Sequence, residues 1–185
     1  MSSETVINTI NELLKNKKHI VVAIDGRCGA GKTTVSERLK SELSCNLIHT
    51  DDFFLPDDKK TEERLLETGG NIDYERFYDE VIVPLKNGET FAFMPYSCSL
   101  KALTEPIVIA PKPVAIIEGS YSLHPFFGDY ADLKIFIDIS EKEQEKRLKA
   151  RNIHLFERFK NEWIPMEERY FNEFKIKEKC DLILD

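Results

Sequence analysis

The run Gly26-Arg27-Cys28-Gly29-Ala30-Gly31-Lys32-Thr33 fits the pattern G-x-x-x-x-G-K-[ST], a spacing that could hold phosphate. Backbone N–H groups converge on phosphate oxygens only where side chains are absent from the tight bend. Gly26, Gly29 and Gly31 meet that demand. A helix opening near Gly31 would turn its positive end toward the anion. Lys32 is placed to reach the outer phosphates, and the Thr33 hydroxyl to ligate Mg²⁺. Arg27, Cys28, Ala30 and Thr34 complete the stretch expected to touch the nucleotide. The pattern has this meaning only between a strand and a helix. Here the apolar run "KHIVVAID" precedes it, and a helical pattern from Gly31 to Leu43 follows. The loop is therefore expected to hold a nucleoside triphosphate.

Carboxylates end two further strand-like runs, "LIHTDDFF" and "VAIIEG". In an open parallel sheet, ligands sit beyond the carboxyl ends of the strands. Asp51 or Asp52, and Glu118, would then lie near the triphosphate, where a carboxylate can bind Mg²⁺ or accept the proton of an attacking hydroxyl. In an extended segment Asp51 and Asp52 point opposite ways, so one of them is expected to face the metal. Arg147 and Arg151 are four residues apart on one helix face, a repulsive spacing that a shared anion would offset. With Arg158 they suggest a basic lid over residues 147–160. Glu143, four residues before Arg147, offers the plainer reading of a surface ion pair. His49, His124 and His154 share no ligand spacing and are expected to be structural or pocket-lining. A guanine-reading N-K-x-D stretch is absent, which disfavours a switch GTPase.

The elements that must position these residues follow from periodicity. Residues 3–16 carry apolar side chains at helical spacing, within an N-terminal helix taken as 1–17. Short β-branched runs alternate with helical patterns as far as "CDLILD", which implies a parallel sheet with helices on both faces. Residues 57–72 read as an acceptor-side loop with some helix, and residues 73–86 as a helix. "FAFMPYS" and "EPIVIAPK" contain prolines and suggest edge strands. "PMEERYFNEF" reads as a helix with Pro165 at its first position. The length of 185 residues suits a single domain.

A net charge of -7 argues against long nucleic acids as partners. Cys28, Cys45, Cys98 and Cys180 have no metal spacing and are expected to be reduced thiols. No apolar run approaches membrane-spanning length, so a cytoplasmic protein with no membrane partner is expected, and a homo-oligomer is compatible with the sequence.

The set "DGRCGAGKTT", "HTDDFF", "GGNIDYERF", "MPY", "EGSYSLHP", "RLKARN" and "WIPMEERYF" resembles the uridine kinase-like family, grouped with phosphoribulokinases and bacterial pantothenate kinases. The resemblance spans about residues 20–185. It implies a three-layer α/β phosphate-loop kinase fold and ATP-dependent phosphorylation of a small-molecule hydroxyl, with ATP and Mg²⁺ as cofactors. By the same resemblance Asp51 is the base or acceptor-positioning carboxylate, and Glu118 belongs to the Mg²⁺ site. Asp73 matches a residue that binds sugar hydroxyls, and Tyr96 an aromatic residue beside the base; Tyr121 is counted with them on the acceptor side. One position departs from the pattern. The histidine that follows the tyrosine in pyrimidine nucleoside kinases is absent from "YSCSLKAL", and Lys101 stands near its place, counted on the acceptor side where a lysine would meet an anionic or carbonyl-rich acceptor, or else as a solvated side chain.

The expected reaction is γ-phosphoryl transfer from ATP to a uridine- or cytidine-like nucleoside. Lys32, Asp51, Arg147 and Arg151 are the catalytic set, and Thr33, Asp51 and Glu118 the metal set. Other readings stay open at this point: another acceptor such as pantothenate or nicotinamide riboside, a switch or regulatory ATPase, or a nucleotide-binding module.

Overall fold

The computed structural model describes residues 3–185. Residues 1 and 2 of the expected N-terminal helix lie outside them. The first helix, α1, runs Ser3–Leu14. The apolar run after it becomes strand β1, Ile20–Gly26, nearly all buried. Helix α2, Lys32–Glu42, and strand β2, Cys45–His49, follow. The remaining strands are β3 (Phe91–Phe93), β4 (Tyr96–Ser97), β5 (Ala102–Leu103), β6 (Ile107–Ile109), β7 (Val114–Glu118), β8 (Leu133–Ile137) and β9 (Leu182–Leu184). Five of them form one sheet in the order β2-β7-β1-β8-β9. Every pairing in that sheet is parallel.

Alternation along the central strands explains the layers. Ala23, Ile117 and Phe136 point into one core with Phe53, Phe77 and Tyr170. Val22, Ile24, Ile116 and Ile135 point into the other, where Val6 and Ile10 of α1 and Leu39 of α2 cover them. A strand apolar on both faces needs helices on both sides, and the fold supplies them. The expected three-layer α/β fold with a parallel sheet is what forms.

Some local expectations are corrected. Asp51 and Asp52 lie in a 3₁₀ turn, Thr50–Phe53, not in an extended segment. The buried Thr50 hydroxyl donates to the Ser120 carbonyl at 3.0 Å, which folds the chain over as β2 ends. The proline-flanked strands do not edge the main sheet. β3 pairs with β6 and β4 with β5, each antiparallel, as two small sheets of their own. Pro165 does not open its helix. It lies within a continuous helical run, 156–174, formed by Phe156–Arg158, a π turn at Phe159–Trp163, and Ile164–Phe174. The run 74–87 repeats the device, with a π turn at Tyr78–Ile82 two residues ahead of Pro84. Proline lacks an N–H and crowds the carbonyl four residues back. A wider turn at that place accommodates both defects.

The segment 57–72 carries a 3₁₀ turn, Asp57–Lys59, and a short helix, Glu62–Leu66. Arg64 ties it together. Its guanidinium donates to the Gly70 and Ile72 carbonyls at 3.1 and 2.9 Å and to Glu75 at 2.6 Å, and lies over the Tyr74 ring. Among the described residues, no helix is long and apolar enough to cross a membrane.

Phe53 ends the Asp51–Asp52 turn, is fully buried, and meets the Phe77 ring edge-on at 4.9 Å and the Phe93 ring at 5.1 Å. Phe53→Ala is expected to lower unfolding free energy by about 3–5 kcal/mol in chemical denaturation. A loss under about 1 kcal/mol would show that the turn is anchored elsewhere.

Candidate active site

The loop joins β1 to α2 at the carboxyl end of the central strand. Gly26, Gly29 and Gly31 all take positive φ, at 134°, 76° and 100°. At Gly26 a Cβ would fall 2.1 Å from the Ile137 carbonyl oxygen of the neighbouring strand, so only glycine lets the loop leave the sheet here. Lys32 begins α2 and is nearly buried. Its Nζ donates to the Gly26 and Arg27 carbonyls at 2.6 and 3.1 Å and to Ser120 Oγ at 3.3 Å. The ammonium thus sits inside the bend of its own loop.

The neighbouring strands bring the acids. His49 and Glu118 are register partners at the ends of β2 and β7, and Glu118 also faces Ile24 of β1. Glu118 is buried and accepts from the Thr33 hydroxyl at 3.1 Å. His49 Nδ1 lies 2.6 Å from its other oxygen, and this hydrogen bond holds the imidazole pKa above its ordinary value. The Asp51 side chain is exposed at one edge but has protein packed around the rest of it. That desolvation raises its pKa, with Lys32 opposing the shift and Glu118 adding to it. Asp52 is raised for the same first reason, with His49 and Arg76 opposing.

The other expected residues fall in different places. Arg147 reaches the loop, its Nη1 donating to the Gly29 and Ala30 carbonyls at 3.3 Å each while its Nε holds Glu143. The surface ion pair with Glu143 is therefore present, and the same side chain also reaches the loop. Arg151, on the last turn of helix Glu141–Arg151, is exposed. Arg158 pairs with Glu162 at 3.1 Å and lies over the Trp163 ring. Thr34 is exposed on the first turn of α2. Asp73 is buried, caps the run 74–87 by accepting from the Arg76 N–H, and pairs with Lys59 at 2.8 Å. Beside it, Leu55, Lys59, Thr61, Arg64 and Glu67 line an open cleft of about 460 Å³. Tyr96 is buried in β4, and Tyr121 is buried against Tyr170. Lys101 is on the surface, 2.8 Å from Asp57.

Several contributors escaped the sequence reading. Ser120 follows Glu118 past the end of β7 and links Lys32 to Glu167. His49 shares Glu118 with Thr33. Both follow from the strand-end logic that found Glu118. Glu167 and Glu168, on helix 156–174, had no signal, because only folding brings them to the loop. Asp25, the last side chain of β1, is fully buried beneath the loop. It accepts from the Gly26 and Leu123 N–H groups and from the Tyr170 hydroxyl, at 2.7, 3.1 and 2.8 Å.

The donor set fits a nucleoside triphosphate with Mg²⁺. Glycines free the backbone, a helix N-terminus and an ammonium face the same space, and a hydroxyl and a carboxylate stand together beside them. Among the described residues no group of three or more His, Cys, Asp or Glu side chains is arranged to hold a metal. Mg²⁺ asks for less: one or two carboxylates, with waters and phosphates completing its shell.

Burial pushes the Asp25 pKa up to about 6, with Lys32 and the three donors opposing. The native state therefore binds this proton more tightly than the unfolded chain, whose value is about 3.9. The stability of the protein relative to Asp25→Asn should be greatest below about pH 4, fall as pH rises through about 6, and level off, by about 3 kcal/mol in all. Denaturation curves from pH 4 to 7 check this; a pH-independent difference would contradict it.

A sequence profile of the phosphoribulokinase / uridine kinase family matches residues 21–154. No curated protein matches the chain. Among solved structures, one described as a possible uridine kinase from Bacillus stearothermophilus is similar with a TM-score of 0.72 at 18% identity, covering 98% of this chain and 100% of that one. A D-glycerate 3-kinase from Cryptococcus neoformans var. grubii is similar with a TM-score of 0.62 at 16% identity, covering 90% of this chain and 86% of that one. These likenesses show the shared fold, and the profile, which takes in the phosphate loop, Asp51 and Glu118, shows the kinship: the chain belongs to the phosphoribulokinase / uridine kinase family of P-loop kinases.

Proposed function

We propose that this kinase transfers the γ-phosphoryl group of ATP to a hydroxyl of a small molecule, with a uridine- or cytidine-like nucleoside as the acceptor. The observation that carries the reading is the convergence of Lys32, Thr33, Glu118 and Asp51 at the carboxyl ends of β1, β2 and β7. ATP supplies the phosphoryl group, and Mg²⁺ neutralises charge on it. The chain supplies position and field. The loop N–H groups and the α2 N-terminus hold phosphate oxygens. Lys32 moves its ammonium from the loop carbonyls to the outer phosphates. Thr33 and Glu118, already hydrogen-bonded to each other, would hold the metal. Asp51 orients the acceptor hydroxyl and takes its proton, for which a raised pKa suits it. Arg147, anchored on the loop, and Arg151, one turn further along, neutralise charge as the lid closes and water is excluded.

Asp73 and the cleft beside it are the proposed seat of the acceptor's sugar hydroxyls. For that use Asp73 must exchange Lys59 for substrate. The nearly buried Tyr96 and the absent histidine favour a second reading, in which the acceptor is another small alcohol such as pantothenate, nicotinamide riboside or a hydroxy acid. The similarity in fold to a D-glycerate 3-kinase puts D-glycerate in the test.

ADP release with Mg-ATP, measured against uridine, cytidine, adenosine, nicotinamide riboside, pantothenate, ribulose 5-phosphate and D-glycerate with product masses read out, tests the proposal. One acceptor should raise ADP release well above the acceptor-free rate. A flat panel with intact nucleotide binding would turn the reading toward a regulatory ATPase or a binding module. With the active acceptor, Lys32→Ala should reduce kcat by roughly 10³-fold or more. Asp51→Asn should reduce kcat by about 10²–10⁴-fold with the KM for ATP nearly unchanged. Undiminished turnover in Asp51→Asn would remove Asp51 from the mechanism.

A further inference from the structure

Helix 156–174 sends a carboxylate into the phosphate loop. Glu167 is only 5% exposed. One of its oxygens accepts from the Cys28 N–H at 2.9 Å, and the other from the Ser120 hydroxyl at 2.6 Å. Ser120 Oγ in turn accepts from Lys32 Nζ at 3.3 Å. The next residue, Glu168, holds Arg27 through two bonds, Nε at 2.6 Å and Nη2 at 3.1 Å. Two adjacent acids of one helix therefore grip two adjacent residues of the loop.

A loop whose N–H groups are built to receive an anion thus already has one. Its place along the cradle follows from Lys32. The lysine of such a loop reaches the outer phosphates, and here it shares Ser120 with Glu167. The carboxylate therefore stands at the outer-phosphate end. A carboxylate oxygen and a terminal phosphate oxygen seek the same donors, and both are negative, so they cannot share them.

We propose that Glu167 is an internal stand-in for the terminal phosphate. It occupies the Cys28 N–H and Ser120 Oγ, is displaced when a nucleoside triphosphate enters, and stays in place with a diphosphate. Glu167 thereby sets how strongly the site prefers ATP over ADP, and ties arrival of the terminal phosphate to helix 156–174. This inference rests on the loop being the nucleotide seat.

Calorimetric titration of wild type and Glu167→Gln with Mg-ATP and with Mg-ADP tests it. Glutamine keeps the shape and an acceptor oxygen but loses the charge. Glu167→Gln is expected to bind Mg-ATP about tenfold more tightly, a change of about 1.4 kcal/mol, with Mg-ADP affinity within about twofold of wild type. Unchanged or weaker Mg-ATP binding in a folded variant would overturn the proposal, as would an equal gain for Mg-ADP. Should the variant not fold, wild type decides through Trp163, the single tryptophan, four residues before Glu167 on the same helical run. Its fluorescence should change with Mg-ATP and stay constant with Mg-ADP. Equal responses to the two overturn the proposal. Wild type that binds neither nucleotide would instead sink the nucleotide-seat reading, and this inference with it.

Discussion

A lysine ammonium withdrawn from water must be surrounded by acceptors, and much of this site is arranged around that requirement at Lys32. Its three partners, two loop carbonyls and a serine hydroxyl, are neutral. Charge balance comes instead from carboxylates a little further out. Asp25 lies beneath the loop, Asp51 within reach of the ammonium's field, and Glu167 beyond Ser120. Keeping these acids near but not on the ammonium leaves Lys32 able to transfer to a stronger anion. A direct buried ion pair would resist that move, since breaking it leaves an uncompensated charge.

The sheet makes this arrangement rigid. Four of its five strands end close together because their order places β1 between β7 and β8, with β2 outside β7. Glu118, His49 and the loop then lie at adjacent register positions. The two cores clamp β1 from both faces, so the point at which the loop leaves the sheet is fixed by packing. Gly26 is the remaining freedom, used to pass the Ile137 carbonyl. The helices that meet the loop from outside, 141–151 and 156–174, hold it through polar contacts: Arg147 on its carbonyls, and Glu167 and Glu168 on Cys28 and Arg27. Polar contacts of this kind can be exchanged for ligand contacts, whereas the packed sheet cannot move without loss of the core.

The sequence made the phosphate loop, the strand-end acids and the layered fold legible because each has a local signature. Gly26, Gly31 and Lys32 sit at fixed offsets, and Glu118 ends a short apolar run of the buried-strand type. What escaped depends on long-range contact. Nothing in the sequence sets Glu167 apart from the other charged residues of its helix, and only the path of helix 156–174 brings it to Cys28. The turn at Asp51–Asp52 reads as extended from its residues, because its folding rests on Thr50 reaching across to Ser120. Pro165 looked like a helix start because a π turn, invisible to helical periodicity, carries the helix past it. The acceptor remains the least legible feature, since Asp73 meets Lys59, Tyr96 is buried, and Lys101 meets Asp57 instead of a common centre.

On this reading the loop from Gly26 to Thr33 is the seat of a nucleoside triphosphate and Lys32 is its mobile charge. A crystal structure with Mg²⁺ and a non-hydrolysable ATP analogue tests it most directly. Phosphates on the loop N–H groups are expected, with the Lys32 Nζ moved from the Gly26 carbonyl onto phosphate oxygens and Thr33 and Glu118 at the metal. An analogue bound elsewhere, with Lys32 still on the Gly26 carbonyl, would contradict it.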